Sequence, residues 1–149
     1  MDDPDGANQE IPIAHFRNLI KRHGIGAFRA AWLDHPLTRL RTPDAASSAL
    51  LLSMVSRYSG ADLLNDPSAA DASPVAVRPG EIRTPTLVLN GEFDDGRRRT
   101  GDALCAAMPN AQRAIIAGAG HLPNLDRPCA YNQALRDFIE QHSSRFIEE

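Results

Sequence analysis

Two short apolar runs with an amphipathic stretch between them constrain this chain more than anything else in it. Pro85-Thr86-Leu87-Val88-Leu89-Asn90 is entered through a proline, and Arg113-Ala114-Ile115-Ile116-Ala117 follows after a helix-length gap. Unbroken apolar, β-branched runs of this length predict strands buried on both faces. Between them, Thr100, Leu104, Ala107 and Met108 recur at helical spacing from Arg97 until Pro109-Asn110 stops the pattern. Beyond the second run, Tyr131, Leu135, Phe138 and Ile139 line a last helix from about Pro128 to about Arg145. The expected unit is β-α-β-α with parallel strands, because a helix joining two strands of one sheet makes a right-handed crossover. That crossover brings the loops after both strands, residues 91–96 and 118–121, to the same carboxyl edge. Open α/β sheets place their ligands there.

The half before these runs differs in kind. Residues 1–10 are polar and acidic and read as a disordered leader; residues 11–64 carry apolar residues at helical spacing and no convincing strand. Phe16, Leu19 and Ile20 form one stripe, ended by His23-Gly24 as a C-cap. Phe28, Ala31, Trp32 and His35 form a second, stopped by Pro36. Phe28 and Trp32 at this spacing read as core before they read as pocket lining. Thr42-Pro43-Asp44 opens a third helix with Thr42 as N-cap. Leu50, Leu51, Met54, Val55 and Tyr58 make its apolar face, and Ser59-Gly60 its end. Residues 65–81 lack periodicity and read as a connecting loop, leaving 82–149 as the sheet-bearing segment.

Composition removes several function classes. The chain has 149 residues with 16 Lys+Arg against 19 Asp+Glu, a formal charge of −3 and a pI near 5.9. No general basic surface follows from that balance, so nucleic acid is not an expected partner. The apolar run Ala49 to Leu52 is broken by Ser53, and no run approaches the ~18–20 residues of a membrane span. An acidic start, where a secretion signal would be basic and then apolar, predicts a cytoplasmic protein. Cys105 and Cys129 match neither a disulfide framework nor a zinc site and read as free buried thiols. His15, His23, His35 and His142 share no ligand spacing, so neither a metal nor another cofactor is expected.

The crossover makes one pair of residues chemically interesting. Asp94 lies four residues past the first run and His121 four past the second. Neighbouring strands are ~5 Å apart, so the two side chains come within hydrogen-bond reach. A carboxylate accepting from one imidazole nitrogen fixes the tautomer, stabilises the imidazolium and frees the other nitrogen as a general base. Gly118 and Gly120 permit the turns that aim a histidine over a sheet edge. Asp95 is the fallback acid if the loop register slips by one, and Asp94 has a second reading as the cap of the following helix. Glu92 and Asp95 read as solvated loop charges. Arg97-Arg98-Arg99 reads as a solvated face, with steering of an anionic substrate as the other reading. Asn124 and Leu125 fit turn structure and substrate contact equally well.

At these residues a family resemblance appears. Residues from Ile82 to about His142 resemble the C-terminal part of an α/β-hydrolase. The likeness lies in Pro85-Thr86-Leu87-Val88-Leu89 followed by Gly91-Glu92-Phe93-Asp94, and in Met108-Pro109-Asn110-Ala111. It continues through Ile115-Ile116-Ala117-Gly118-Ala119-Gly120-His121 and Asn124-Leu125-Asp126-Arg127-Pro128. The helical first half is similar to the cap such enzymes insert above the site. The resemblance implies a partial α/β-hydrolase fold, a helical cap segment followed by a β-α-β-α unit. It also implies Asp94 as triad acid, His121 as triad base, and a small-molecule ester or lactone as substrate, with carbon–carbon ring-fission products admitted too.

One part of the pattern is missing. In that family the nucleophile precedes the acid and base, on a Gly-x-Ser-x-Gly turn between a strand and a helix. No two glycines here stand four apart around a Ser, Cys or Asp, and Ser53, Ser56 and Ser59 fall in or at the end of a helix. A truncated hydrolase, inactive as an isolated chain, is therefore the leading expectation. The nucleophile type stays open, an aspartate of the dehalogenase kind included. Two parallel strands also leave apolar sheet edges, which are templates for pairing. Self-association, a partner chain completing a split hydrolase, and a non-catalytic interaction module are the alternatives.

Overall fold

The computed structural model describes residues 11–65 and 77–143. They fall into two compact units, one built from residues up to Arg39 and from Asp44 onward, the other from Leu40–Pro43 together with Val77 onward. The expected leader 1–10, the middle of the expected connecting loop and the end of the last helix at Arg145 lie outside the described residues.

The first unit is helical. Helix α1, Ile13–Leu33, is two helical runs joined at Gly24, whose φ of 78° interrupts the winding where the first apolar stripe ends. Phe16 and Ile20 from the first run and Phe28 from the second make its core, with Leu19, Ile25, Trp32, Tyr58 and Leu63 packed around them. The Phe16 ring stands edge-on to Phe28 and Trp32 at centroid distances of 5.2 and 5.6 Å. Such pairs add about 0.5–1.5 kcal/mol each beyond the burial of their area. Phe28 is thus a core residue, and Trp32 packs against that core, partly buried.

Helix α2 spans Ala45–Arg57, and its cap corrects the expectation of Thr42. Asp44 accepts from the Ser47 N–H at 2.7 Å, a charged acceptor at the positive end of the helix. That bond holds the Asp44 carboxyl below the usual carboxylate range. The Thr42 hydroxyl is engaged elsewhere, donating to the Asp126 carbonyl at 2.5 Å. Arg29 donates from Nε and Nη2 to the Tyr58 carbonyl at the end of α2, and Arg17 to the Leu63 carbonyl of the short helix α3, Ala61–Leu64. Only Val55 of the expected α2 face is buried; Leu50 and Met54 are about half exposed.

The second unit holds the sheet. Strands β1, Thr86–Gly91, and β2, Ala111–Ile116, pair in parallel from Thr86↔Ala111 to Gly91↔Ile116. Helix α4, Asp95–Ala107, packs on both strands, and after the short α5, Pro123–Asp126, helix α6, Pro128–His142, packs on β2. Helix α4 begins two residues before the expected Arg97, with acidic Asp95 in its first turn, where the helix dipole favours it. The strands are not buried on both faces as expected: β1 is half-buried and Ile115 is 41% exposed. The physical reason is that the sheet has two strands among the described residues, so β1 lacks a neighbour on one side. Ile139 points to solvent instead of joining the α6 face, Cys129 is exposed and Cys105 half-buried. The thiols are free, but neither is a core residue.

Beneath α4 the packing is partly polar. The Arg113 guanidinium donates to Asn90 Oδ1 at 2.8 Å, to Asp102 at 2.9 Å and to the carbonyls of Val88 and Arg98. With Asn90 Oδ1, it occupies the space that a Cβ at Gly101 of α4 would enter.

Candidate active site

Backbone, not side chain, first sets the position of the site. Strand β1 ends at Gly91, where the carbonyls of Ala119 and Gly120 cross so closely that a Cβ would collide with both. The ladder runs one residue further, Glu92 N–H donating to the Ile116 carbonyl at 3.0 Å, and Phe93 N–H then donates to Ala119 at 2.9 Å. On the other side the chain turns at Gly118, whose φ of 72° suits glycine and whose missing side chain leaves room for the Arg127 guanidinium. Two carboxylates secure this turn. Glu92 accepts from the Gly118 N–H and Asp126 from the Gly120 N–H, each at 2.8 Å. Glu92 is therefore exposed, as expected of a loop charge, but also a fixed part of the loop.

These two loops bring the expected pair together. Asp94 Oδ2 lies 2.7 Å from His121 Nδ1, with side chains 12% and 30% exposed. Asp94 makes no side-chain bond to the N-terminus of α4, so its second reading as a helix cap does not hold. Asp95 faces Arg98 at 3.2 Å and is 62% exposed, away from the imidazole. With the carboxylate accepting, Nδ1 donates, and in a neutral ring Nε2 then keeps its lone pair. Among the described residues Nε2 has no hydrogen-bond partner. An imidazole held in this state takes a proton from a hydroxyl and returns it to a leaving group.

A cleft of about 320 Å³ adjoins the pair, lined among others by Leu89, Asn90, Asp94, Arg97, Leu104 and His121. Four successive β1 residues, Val88 to Gly91, border it together with one side of α4, so it runs along β1 beside that helix. Arg97 lines this cleft, whereas Arg98 is tied to the Glu92 carbonyl and Asp95. Leu125 is buried and Asn124 exposed, which makes Leu125 a packing residue. Among the described residues no three His, Cys, Asp or Glu side chains gather as a cation site would require. Sequence reasoning missed Gly91, Glu92 and Asp126 as parts of this site. A strand run closing on glycine was the available signal for Gly91.

No family model matches the chain. Protein ABHD14A of Danio rerio is 33% identical over 61 residues, 41% of this chain and 23% of that protein. The solved structure of MenH from S. aureus, an α/β-hydrolase, superposes with a TM-score of 0.75 at 17% identity, covering 96% of this chain and 55% of its own. The chain thus spans about a quarter of the curated relative and about half of the solved structure. No described helix is long and apolar enough to cross a membrane.

Proposed function

For a chain that carries part of the α/β-hydrolase fold and is related to that superfamily, we propose that it contributes the acid–base pair of an ester or lactone hydrolase. His121 acts as general base toward a serine nucleophile, and Asp94 orients the ring and stabilises the imidazolium. The single observation supporting this reading is the 2.7 Å Asp94–His121 contact with Nε2 left unpartnered beside a cleft. The nucleophile belongs to a part of the hydrolase fold other than residues 1–149, since no Gly-x-Ser-x-Gly turn occurs in them. A cofactor-free, cytoplasmic reaction on a small ester, lactone or ring-fission product fits this chemistry.

Two measurements test it. Purified residues 1–149 are expected to hydrolyse p-nitrophenyl esters no faster than background; turnover lost on His121→Ala would reveal a nucleophile inside the chain. Fusion to the nucleophile-bearing portion of an α/β-hydrolase is expected to restore turnover, which then falls about 10⁴-fold on Asp94→Asn and about 10⁶-fold on His121→Ala. Restored turnover indifferent to both substitutions would defeat the proposal.

The unpaired flank of β1 supports a second reading, an interaction module or split-hydrolase half that takes a strand from another chain. A defined oligomer in size-exclusion chromatography would favour it; a monomer or heterogeneous aggregate would not.

A further inference from the structure

We propose that Asp126 is a positioning residue for the Asp94–His121 pair, clamping the loop that carries His121 to the 40–43 strap; the proposal rests on the acid–base reading of that pair. Asp126 is 5% exposed, and its carboxylate is occupied by main-chain donors. Oδ1 accepts from the Arg41 N–H at 2.6 Å and the Thr42 N–H at 3.0 Å, while Oδ2 accepts from the Gly120 N–H at 2.8 Å. The Asp126 main-chain carbonyl accepts from the Thr42 hydroxyl as well. A carboxylate taken out of water is costly unless its lone pairs are filled, and here three N–H groups fill them.

The consequence for the site follows from covalent adjacency. Gly120 is bonded directly to His121, so the Oδ2 contact fixes the main chain from which the imidazole springs. Two glycines in residues 118–121 give that loop many conformations when unrestrained. A displacement of an ångström lengthens the 2.7 Å Nδ1 contact beyond hydrogen-bonding range. The Glu92 bond to Gly118 cannot substitute, because it is exposed to solvent and lies on the far side of Ala119.

Nuclear magnetic resonance on the full chain tests this. The wild type is expected to show a slowly exchanging, far-downfield Nδ1–H proton of His121, assigned by its loss in His121→Ala and removed by Asp94→Ala. Asp126→Asn keeps the volume but presents an amide to one set of N–H donors. In it and in Asp126→Ala this proton is expected to exchange about ten- to a hundredfold faster while the β1 and β2 amide signals persist. Wild-type exchange in both variants would overturn the positioning role. Loss of the sheet signals even in Asp126→Asn would also overturn it, by making Asp126 a general determinant of the fold. A proton absent from the wild type, or untouched by Asp94→Ala, would instead refute the acid–base reading and take this proposal with it.

Discussion

The two units of this chain are held by different forces. In the helical unit, rings from Phe16, Phe28, Trp32 and Tyr58 stack and cross, while Arg17, Arg29 and Asp44 bond main-chain groups at its helix ends. In the sheet unit, Glu92, Asp94 and Asp126 each hold a different residue of the 118–121 loop, and the buried apolar residues, Met108, Ile116, Ala119 and Leu125, include no ring. Apolar contact is nearly non-directional, so a cluster of rings absorbs small displacements. Hydrogen bonds to carboxylates tolerate little change in distance or angle. In the sheet unit three such carboxylate bonds converge on one four-residue loop, the loop that carries His121.

The contrast breaks most readily at Phe16. Phe16→Ala is expected to destabilise the helical unit by about 3–5 kcal/mol, read by urea denaturation through the single tryptophan, Trp32. The His121 Nδ1–H resonance should survive at low denaturant, and its disappearance together with the Trp32 transition would show one cooperative structure. A smaller effect is expected at Gly91. Gly91→Ala forces a methyl against the Ala119 and Gly120 carbonyls, at a cost of about 1–3 kcal/mol felt in the His121 resonance. A shifted Trp32 midpoint with an unchanged His121 signal would reverse that assignment.

The smallest effect depends on pH. Burial first, then the hydrogen bond to Asp62, pushes the Tyr58 hydroxyl up to about 12. The folded state therefore favours the neutral phenol more than the unfolded state does. The contribution is whole below the ordinary value of about 10 and shrinks as pH rises from there toward 12. Across that window the Trp32-monitored midpoint is expected to fall more in the wild type than in Tyr58→Phe. Equal falls would remove Tyr58 as the cause.

Much of the site was legible because it follows from periodicity. Two apolar runs and one helix between them imply a parallel pair, and a parallel pair implies that Asp94 and His121 share an edge. Burial was less legible. A run such as Ile115-Ile116 looks fully covered, yet coverage depends on strands that lie next to it in space. Helix termini were read from residue type at Thr42, while the decision fell to competition: Asp44 offered the stronger acceptor, and Thr42 found another carbonyl. The roles of Glu92 and Asp126 were hidden for a related reason. Each acts on main-chain N–H groups, which leave no mark in a sequence, and Asp126 reaches partners more than eighty positions away.

That last separation bears on how the molecule assembles. Strand β1, helix α4 and strand β2 are neighbours along the chain and can meet early, since short loops cost little entropy to close. The contact between Arg41 and Asp126 joins residues 85 positions apart and comes late on the same account. A newly made molecule would thus own its sheet before the loop that carries His121 is steadied.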